Sequence, residues 1–369
     1  MVVEMTVVTE RKTRVMLGMS GGVDSSAAAA LLLEQGYEVI GVTLKLWPQD
    51  CVSRAEDKCC GPQAVMDARA VAHSLSIPYY LVDEAAEFQQ HVIQYFADEY
   101  KAGRTPNPCV MCNEKLKFGR LLTRADQLGA QYVATGHFAR TALCAQTGRT
   151  LLKRGLDGRK DQSYFLFSLR QEQLARAMFP LGEKTKSDTR EVARHCGLKT
   201  ADKEESMEIC FVPDNDYGGF LKKAGLVQPH RGEIVDVHGR KLGEHEGIEF
   251  YTVGQRKGLG ISSAKPLYVV ELDAANNRVV VGDEAQLERD TFIVERCNWI
   301  PFAQPPAAIE ASVKIRYNHA GTPALITPHP DGDGTAQVRL HESQRAIAPG
   351  QACVFYQDDL VVGGGWIRR

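Results

Sequence analysis

The sequence lacks any long apolar run. None of its hydrophobic stretches approaches the roughly 20 residues of a membrane-spanning helix, and the opening MVVEMTVVTERKTR lacks the apolar centre of a secretory signal. Charge of one sign is not in excess either, because 44 basic residues oppose 46 acidic ones and leave a formal net charge of −2. We therefore expect a cytoplasmic protein in which any contacts with nucleic acid come from local basic clusters.

Cysteine is scarce, with ten among 369 residues. That is too few for a disulfide framework, and a cytoplasm keeps such thiols reduced. Internal repeats are absent, and no low-complexity segment is longer than AAAA. Hydrophobic residues make up 44% and charged residues 24%, which is ordinary for a globular chain of two or three domains. Chemistry or packing must therefore explain the cysteines.

The first half of the chain alternates between strand and helix patterns. An apolar strand at 13–19 is followed by a glycine turn and an alanine-rich helix that ends at Gly36. Further strands are predicted at 38–46, 78–83 and 131–137, and helices at about 63–75, 84–101 and 113–128. This alternation predicts a parallel sheet covered by helices, with ligands beyond the carboxyl ends of its strands. The loops at that edge begin at Met19, Lys45, Asp83 and His137.

The second half changes to short strands separated by Gly, Asn and Asp turns. We predict three domains from this change. They are a parallel-sheet α/β catalytic domain at 1–215, a small mixed module at 216–283 and a C-terminal β-barrel at 284–369.

The loop in 17-LGMSGGVDSS-26 follows the first strand and opens the first helix. Gly21 and Gly22 allow backbone N–H groups to converge on an anion at the positive end of that helix. The spacing matches neither G-x-x-x-x-G-K-[ST] nor G-x-G-x-x-G. SGGVDS instead resembles the loop of the ATP-pyrophosphatase (PP-loop) superfamily, whose fold is adenine-nucleotide α-hydrolase-like.

That resemblance implies cleavage of ATP between its α- and β-phosphates, with Asp24 helping to place Mg²⁺. The ATP-binding residues that it implies are Gly18, Met19, Ser20, Gly21, Gly22, Val23, Asp24 and Ser25, with Leu44 and Gly136 beside the adenosine.

Cys109 and Cys112 form a C-x-x-C pair in 104-RTPNPCVMCNEKLKFGR-120. Such a pair serves zinc sites, redox centres and iron–sulfur clusters alike. The adjacent Cys59 and Cys60 have the wrong spacing for the second half of a zinc site, and a thioredoxin-like centre has no ATP loop. Beside an adenylating loop, reactive thiols favour thiolation, in which ATP turns a carbonyl oxygen into a leaving group and sulfur displaces it.

Several motifs occur in order along nearly the whole chain: TPNP-x-x-x-CN-x-x-[IL]-KF, ATGH, KDQSYFL, ICF and GQRKGLG. Together they resemble the bacterial tRNA-specific 2-thiouridylase family. The resemblance implies 2-thiolation of the wobble uridine (U34) in tRNAs for Lys, Glu and Gln, with adenylation of O2 before sulfur replaces it. It also implies a sulfur donor such as a cysteine desulfurase or a relay protein.

By the same resemblance, Cys112 matches the catalytic cysteine, and Cys210 matches the cysteine that receives sulfur as a persulfide. Lys115 and Lys117 are expected within reach of the site. A helix beginning after Cys112 would favour the thiolate form of its side chain.

Cys109 departs from the commonest family pattern, which has Asp at this position. Three cysteines are then available, and a [4Fe–4S] cluster held by Cys109, Cys112 and Cys210 could carry sulfide on its open iron. The persulfide and cluster routes both stay open. Cys59 and Cys60 either supply a further ligand or pack as small hydrophobes.

The resemblance also assigns contacts with tRNA, and the base must leave the loop stack at a cost of a few kcal/mol that backbone contacts offset. The residues expected to contact tRNA are Asn107, Pro108, Cys109, His137, Lys160, Asp161, Gln162, Arg316, Tyr317 and Gln351.

Two other functions remain open at this point. Another PP-loop ligase such as argininosuccinate synthase shares the ATP loop and needs no cysteine chemistry. A non-catalytic RNA-binding or iron–sulfur carrier protein would keep the loop for folding alone.

Overall fold

The structure, a computed structural model, describes residues 12–46, 61–203, 209–212, 215–330 and 332–368. Cys51, Cys59 and Cys60 lie outside these residues. Within the described ranges, no helix is long and apolar enough to cross a membrane.

A parallel sheet forms the centre of the first domain. The strands of this part of the chain are β1 (Arg14–Gly18), β2 (Glu38–Lys45), β3 (Tyr79–Asp83), β4 (Tyr132–Ala134), β5 (Ala139–Leu143), β6 (Thr150–Arg154) and β7 (Ala177–Met178). Five of them pair in parallel in the order β3-β2-β1-β4-β7. The predicted parallel sheet is thereby confirmed, and β1 lies at its centre, where both faces of the apolar run VML are buried.

Helices connect and cover these strands. They are α1 (Val23–Glu34), α2 (Pro62–Ser74), α3 (Ala85–Phe88), α4 (Gln94–Lys101), α5 (Pro108–Met111), α6 (Leu121–Gln127), α7 (Gln171–Leu174) and α8 (Lys186–His195). Wider, π-helical turns at Gln89–Ile93 and Cys112–Arg120 join α3 to α4 and α5 to α6 without a break.

The prediction that a helix begins after Cys112 was wrong. The helix begins at Pro108, and the Asn107 side chain caps it by accepting a hydrogen bond from the Val110 N–H. Proline is favoured in a first helical turn because its missing N–H is not needed there. Cys109 therefore lies in the first turn, and Cys112 lies one turn further along.

The central module has one α-helix, a short 3-10 helix at Ile248–Phe250 and one sheet. The α-helix is α9 (Tyr217–Lys223), and the strands are β8 (Gly232–Asp236), β9 (Lys241–His245), β10 (Tyr268–Asp273) and β11 (Arg278–Gly282). The strand order is β10-β11-β8-β9, in which only the β11–β8 pair is parallel.

The C-terminal domain is an antiparallel β-barrel. Its strands are β12 (Glu288–Trp299), β13 (Ile309–Lys314), β14 (Thr322–Pro328), β15 (Ala336–Arg345), β16 (Ala352–Gln357) and β17 (Leu360–Ile367). They pair in the order β12-β15-β14-β13-β16-β17, and β17 returns to β12 to close the barrel. The predicted combination of α/β domain, small mixed module and barrel is confirmed.

The barrel and the first domain share structure that the sequence pattern did not show. The β5–β6 hairpin of the first domain extends the barrel sheet, because Lys153 pairs with Leu360 of β17. One apolar core also runs through both, and it includes Met16 and Val42 of the parallel sheet and Val354 and Trp366 of the barrel. The barrel is thus fixed against the domain that carries the candidate site.

Candidate functional site

The loop between β1 and α1 is a compact turn whose backbone a ligand can approach closely. Gly21 has a φ of +69°, in the left-handed region that glycine enters without a steric penalty. The Ser20 N–H donates to the Ser25 hydroxyl at 3.1 Å, and the two hydroxyl oxygens lie 3.3 Å apart. Gly22 is the N-cap residue directly before α1 and provides no side-chain cap. The first-turn N–H groups and the two hydroxyls therefore suit the oxygens of a phosphate.

The neighbouring strands fix this loop in place. The Met19 N–H donates to the Val42 carbonyl at 2.8 Å, and the Thr43 hydroxyl donates to the Met19 carbonyl at 2.7 Å. Gly136, after β4, lies so close to α1 that an added Cβ would stand 2.8 Å from the Asp24 carbonyl carbon and from the Ser25 nitrogen. The structure thus brings the predicted ATP-loop residues and Gly136 together at the carboxyl edge of the sheet.

Asp24 forms an ion pair with a lysine that the sequence patterns did not reveal. The Lys186 ammonium, at the start of α8, lies 2.6 Å from Asp24 Oδ1 and 5.6 Å from the centre of the Phe138 ring. The Lys186 side chain is 11% exposed. Because 162 positions separate the two residues, only the fold brings them together.

The two thiols expected to handle sulfur lie against one apolar cluster. Cys112 and Cys210 both pack on a cluster that includes Leu46, Leu116 and Phe211, and Leu44 packs on it as well. Leu44 lies near the end of β2 and Leu46 directly follows that strand, at the same edge as the ATP loop. Both cysteines are half-buried. The residue predicted beside the adenosine and the two predicted sulfur-handling cysteines therefore share one environment.

The loop before Cys109 is held by the barrel. The Gln351 side-chain amide donates to the Thr105 carbonyl at 3.2 Å and to the Pro106 carbonyl at 3.1 Å. The Thr105 N–H donates to the Pro349 carbonyl at 2.7 Å. Gln351, predicted to contact tRNA, thus anchors the segment that leads to Cys109.

A [4Fe–4S] cluster would need Cys109, Cys112 and Cys210 to converge on one site. Over the described ranges, no group of three or more His, Cys, Asp or Glu side chains is placed to hold a metal ion. Cys109, Cys112 and Cys210 therefore do not form a cluster ligand set in this structure.

His137 is buried beside the ATP loop. Its Nδ1 lies 2.7 Å from the Thr135 hydroxyl, and its ring contacts Phe118 and Phe179. Burial, together with the nearby Lys117 charge, lowers the pKa of His137 well below its ordinary value. The imidazole is therefore neutral at physiological pH. The influence of Lys117 also places that lysine near the ATGH segment.

The predicted tRNA-binding turn at 160–162 is partly internal. The buried Asp161 carboxylate accepts hydrogen bonds from the N–H groups of Gly155 and Ser163 and from the Ser163 hydroxyl. The Gln162 side chain accepts from the Phe138 N–H at 3.0 Å. These two residues fix the turn that presents Lys160.

Arg316 and Tyr317 of the barrel lie near the same turn. The Tyr317 ring centre is 4.6 Å from that of Phe165, just after the turn, and Arg316 is exposed. Lys314 adds a further cation 5.7 Å from the Tyr317 ring. An exposed cation with an aromatic ring suits phosphate contact and base stacking.

Comparisons with known proteins cover nearly the whole chain. Residues 13–214 match a family model described as tRNA methyl transferase HUP domain, residues 218–283 match tRNA methyl transferase PRC-barrel domain, and residues 289–367 match Aminomethyltransferase beta-barrel domain.

Curated relatives align over nearly their full length. The tRNA-specific 2-thiouridylase MnmA 1 of Caldanaerobacter subterraneus subsp. tengcongensis is 50% identical over 362 residues, which cover 98% of this chain and 99% of that protein. The tRNA-specific 2-thiouridylase MnmA of Geotalea uraniireducens is 51% identical and covers 97% and 96%. A solved 4-thiouridine synthetase–RNA complex with bound ATP aligns with a TM-score of 0.34 at 17% identity, over 58% of this chain and 50% of that one, which is too weak to carry an argument.

Proposed function

The chain belongs to the MnmA family of tRNA-specific 2-thiouridylases and is a tRNA sulfurtransferase, and from this premise we propose how its site works. ATP adenylates O2 of the wobble uridine, U34, of tRNAs for Lys, Glu and Gln. Sulfur held by Cys210 then replaces the adenylated oxygen. The observation that carries this proposal is the shared cluster, on which Cys112, Cys210 and Leu44 all pack beside the ATP loop.

The ATP loop would bind the nucleotide through its backbone. First-turn N–H groups of α1 and the hydroxyls of Ser20 and Ser25 face the phosphates, while Leu44 and Gly136 border the adenosine. Mg²⁺ fits this arrangement, because it is usually held by one or two carboxylates together with substrate phosphates. Asp24 would supply the carboxylate. Bound Mg²⁺ would neutralise charge on the departing pyrophosphate.

Sulfur transfer then needs two thiols. The outer sulfur of a Cys210 persulfide attacks C2 of the adenylated uridine, a C–S bond forms, and AMP leaves with the electron pair of the C–O bond. The Cys112 thiolate next attacks Sγ of Cys210, a Cys112–Cys210 disulfide forms, and 2-thiouridine leaves as the thiolate. A thiol reductant reopens the disulfide. Alternatively, Cys112 attacks the persulfide first and liberates sulfide, which attacks C2.

An iron–sulfur route remains the second candidate, because Cys109 adds a third thiol where the family usually has Asp. The described side chains do not assemble a three-ligand set, so we assign no step to a cluster. Cys109 instead lies in the first helical turn, where the helix dipole stabilises a negative charge. Its expected role is at the target base, beside Asn107 and Pro108.

The expected tRNA surface runs across the junction of the first domain and the barrel. Lys160 and Arg316 would contact phosphates, and Tyr317 would pack near the loop bases. Gln351 would act on the base indirectly, through the loop that it anchors. A cysteine desulfurase, alone or through a relay protein, is the expected sulfur donor.

The test is ATP-dependent 2-thiouridine formation in an anticodon-bearing tRNA under argon, with cysteine and a cysteine desulfurase as the sulfur donor, because a Cys210 persulfide does not form from sulfide without an oxidant. Metal-free protein is compared with protein reconstituted with iron and sulfide. We expect equal activity in both states. Activity only after reconstitution would overturn the thiol route and establish the cluster, and no activity in either state would contradict the proposed reaction.

A further inference from the structure

The Lys203 side chain bridges the ATP loop and α2. Its ammonium donates to the Gly21 carbonyl at 3.2 Å and to Asp67 Oδ2 at 2.6 Å. Lys203 follows Gly21 by 182 positions, and the sequence patterns gave it no role. We propose that Lys203 is a positioning residue that orients the Gly21–Gly22 peptide for phosphate binding. This inference rests on the proposed use of ATP.

The peptide geometry supplies the mechanism. In a planar trans peptide, the carbonyl of one residue and the N–H of the next point in opposite directions. When Lys203 holds the Gly21 carbonyl, the Gly22 N–H therefore points away from Lys203. A peptide flip would turn the carbonyl oxygen toward the phosphate and remove this donor. Lys203 therefore selects the donor orientation.

The loop needs this restraint because its two glycines allow several backbone conformations. Gly21 has a left-handed φ, and Gly22 can adopt either hand, so rotation of the peptide between them meets little steric resistance. From the other side, α2 limits the space, since an added Cβ on Gly21 would overlap the Ala64 carbonyl. Asp67 lies one turn further along α2 and holds the Lys203 ammonium. The Gly21 carbonyl and the Asp67 carboxylate together fix the position of the Lys203 ammonium.

The backbone of Lys203 is itself fixed. The Arg190 guanidinium, in α8, donates to the Lys203 carbonyl at 3.2 Å and to the Ala201 carbonyl at 2.7 Å. One turn before Arg190, Lys186 holds Asp24 at the start of α1. A single helix thus supports both cations that reach the ATP loop. The position of the Lys203 ammonium is therefore set by contacts with α2 and by a backbone that α8 holds.

The test compares Lys203→Met, Lys203→Arg and Asp67→Asn in the full-length protein, with the exposed Lys199→Met as a matched control. The readouts are the KM for ATP in tRNA-dependent AMP formation and the inhibition constants of α,β-methylene-ATP and adenosine. We expect Lys203→Met to weaken ATP and its analogue by about 10- to 100-fold. Adenosine inhibition should stay unchanged, because it has no phosphate. Lys203→Arg should recover most of the loss, and Lys199→Met should behave as wild type.

Three outcomes would overturn the inference. They are an unchanged KM for ATP in Lys203→Met, equal weakening of adenosine and of the ATP analogue, and no recovery in Lys203→Arg. If Lys203→Met does not fold, Asp67→Asn provides the test. Without the Asp67 carboxylate, the Lys203 ammonium should hold the Gly21 carbonyl less well, and the KM for ATP should rise severalfold. An unchanged KM there would contradict the proposal. Wild-type protein that forms no AMP would instead refute the proposed function.

Discussion

The contact between Gly136 and the start of α1 allows a sharp test of the ATP site. Alanine at 136 would place a methyl group 2.8 Å from the Asp24 carbonyl carbon and the Ser25 nitrogen, whereas ordinary contact begins near 3.4 Å. The loop after β4 and the ATP loop must then separate by about 0.6 Å. A displacement of about 1 Å in a site costs on the order of 100-fold in rate, so we expect about a tenfold loss here.

The assay is single-turnover AMP formation with labelled ATP, a sulfur donor and a saturating anticodon stem-loop. Overpacking of this kind should also lower the free energy of unfolding by about 1–3 kcal/mol, which denaturant titration measures. Gly158→Ala is the matched control, because its added methyl meets no atom within 4 Å. Equal AMP formation by Gly136→Ala and Gly158→Ala would refute the claim that this contact shapes the ATP site.

Other consequences of the structure can be tested in parallel. Cys112→Ser and Cys210→Ser should each abolish 2-thiouridine by mass spectrometry while pyrophosphate is still released in the adenylation step, and Cys144→Ser should retain both activities. Thiolation in Cys210→Ser would exclude the persulfide. The lowered pKa of His137 means that the unfolded chain binds a proton there below about pH 6.5 while the folded chain does not. The free energy of unfolding should therefore fall as pH drops below about 6.5. His137→Gln should reduce the slope of the free energy of unfolding against pH by up to about 1.4 kcal/mol per pH unit, and an identical slope in the variant would argue against a buried neutral imidazole. Gln351→Ala should lower the free energy of unfolding by about 1–3 kcal/mol because two hydrogen bonds are lost, whereas loss of tRNA affinity alone would mean that the side chain acts mainly on RNA.

The sheet could be predicted from the sequence because its signals are local. The apolar runs of β1 to β4 and the glycine turn after β1 lie in continuous segments, and the structure confirms them. β7 was missed, since two residues are too few to show a pattern. The helix start at Pro108 was also missed, although Asn107 followed by proline is a recognised N-terminal signal.

The rest depended on residues distant in the chain. Lys186 and Lys203 reach the ATP loop from more than 160 positions away, and no motif marks them. Gln351 was associated with the site by resemblance, but its hydrogen bonds to Thr105 and Pro106 require the barrel to dock on the first domain. Sequence patterns report spacing along one element, while such contacts are set by how elements pack.

The central claim is that ATP is converted to AMP in order to place one sulfur on a tRNA uridine. The most direct measurement counts AMP and 2-thiouridine in the same anaerobic reaction with ATP, a sulfur donor and an anticodon-bearing tRNA. We expect one AMP for each 2-thiouridine, and no 2-thiouridine when ATP is replaced by its α,β-methylene analogue. Release of ADP without AMP, or 2-thiouridine formed without ATP, would contradict the account.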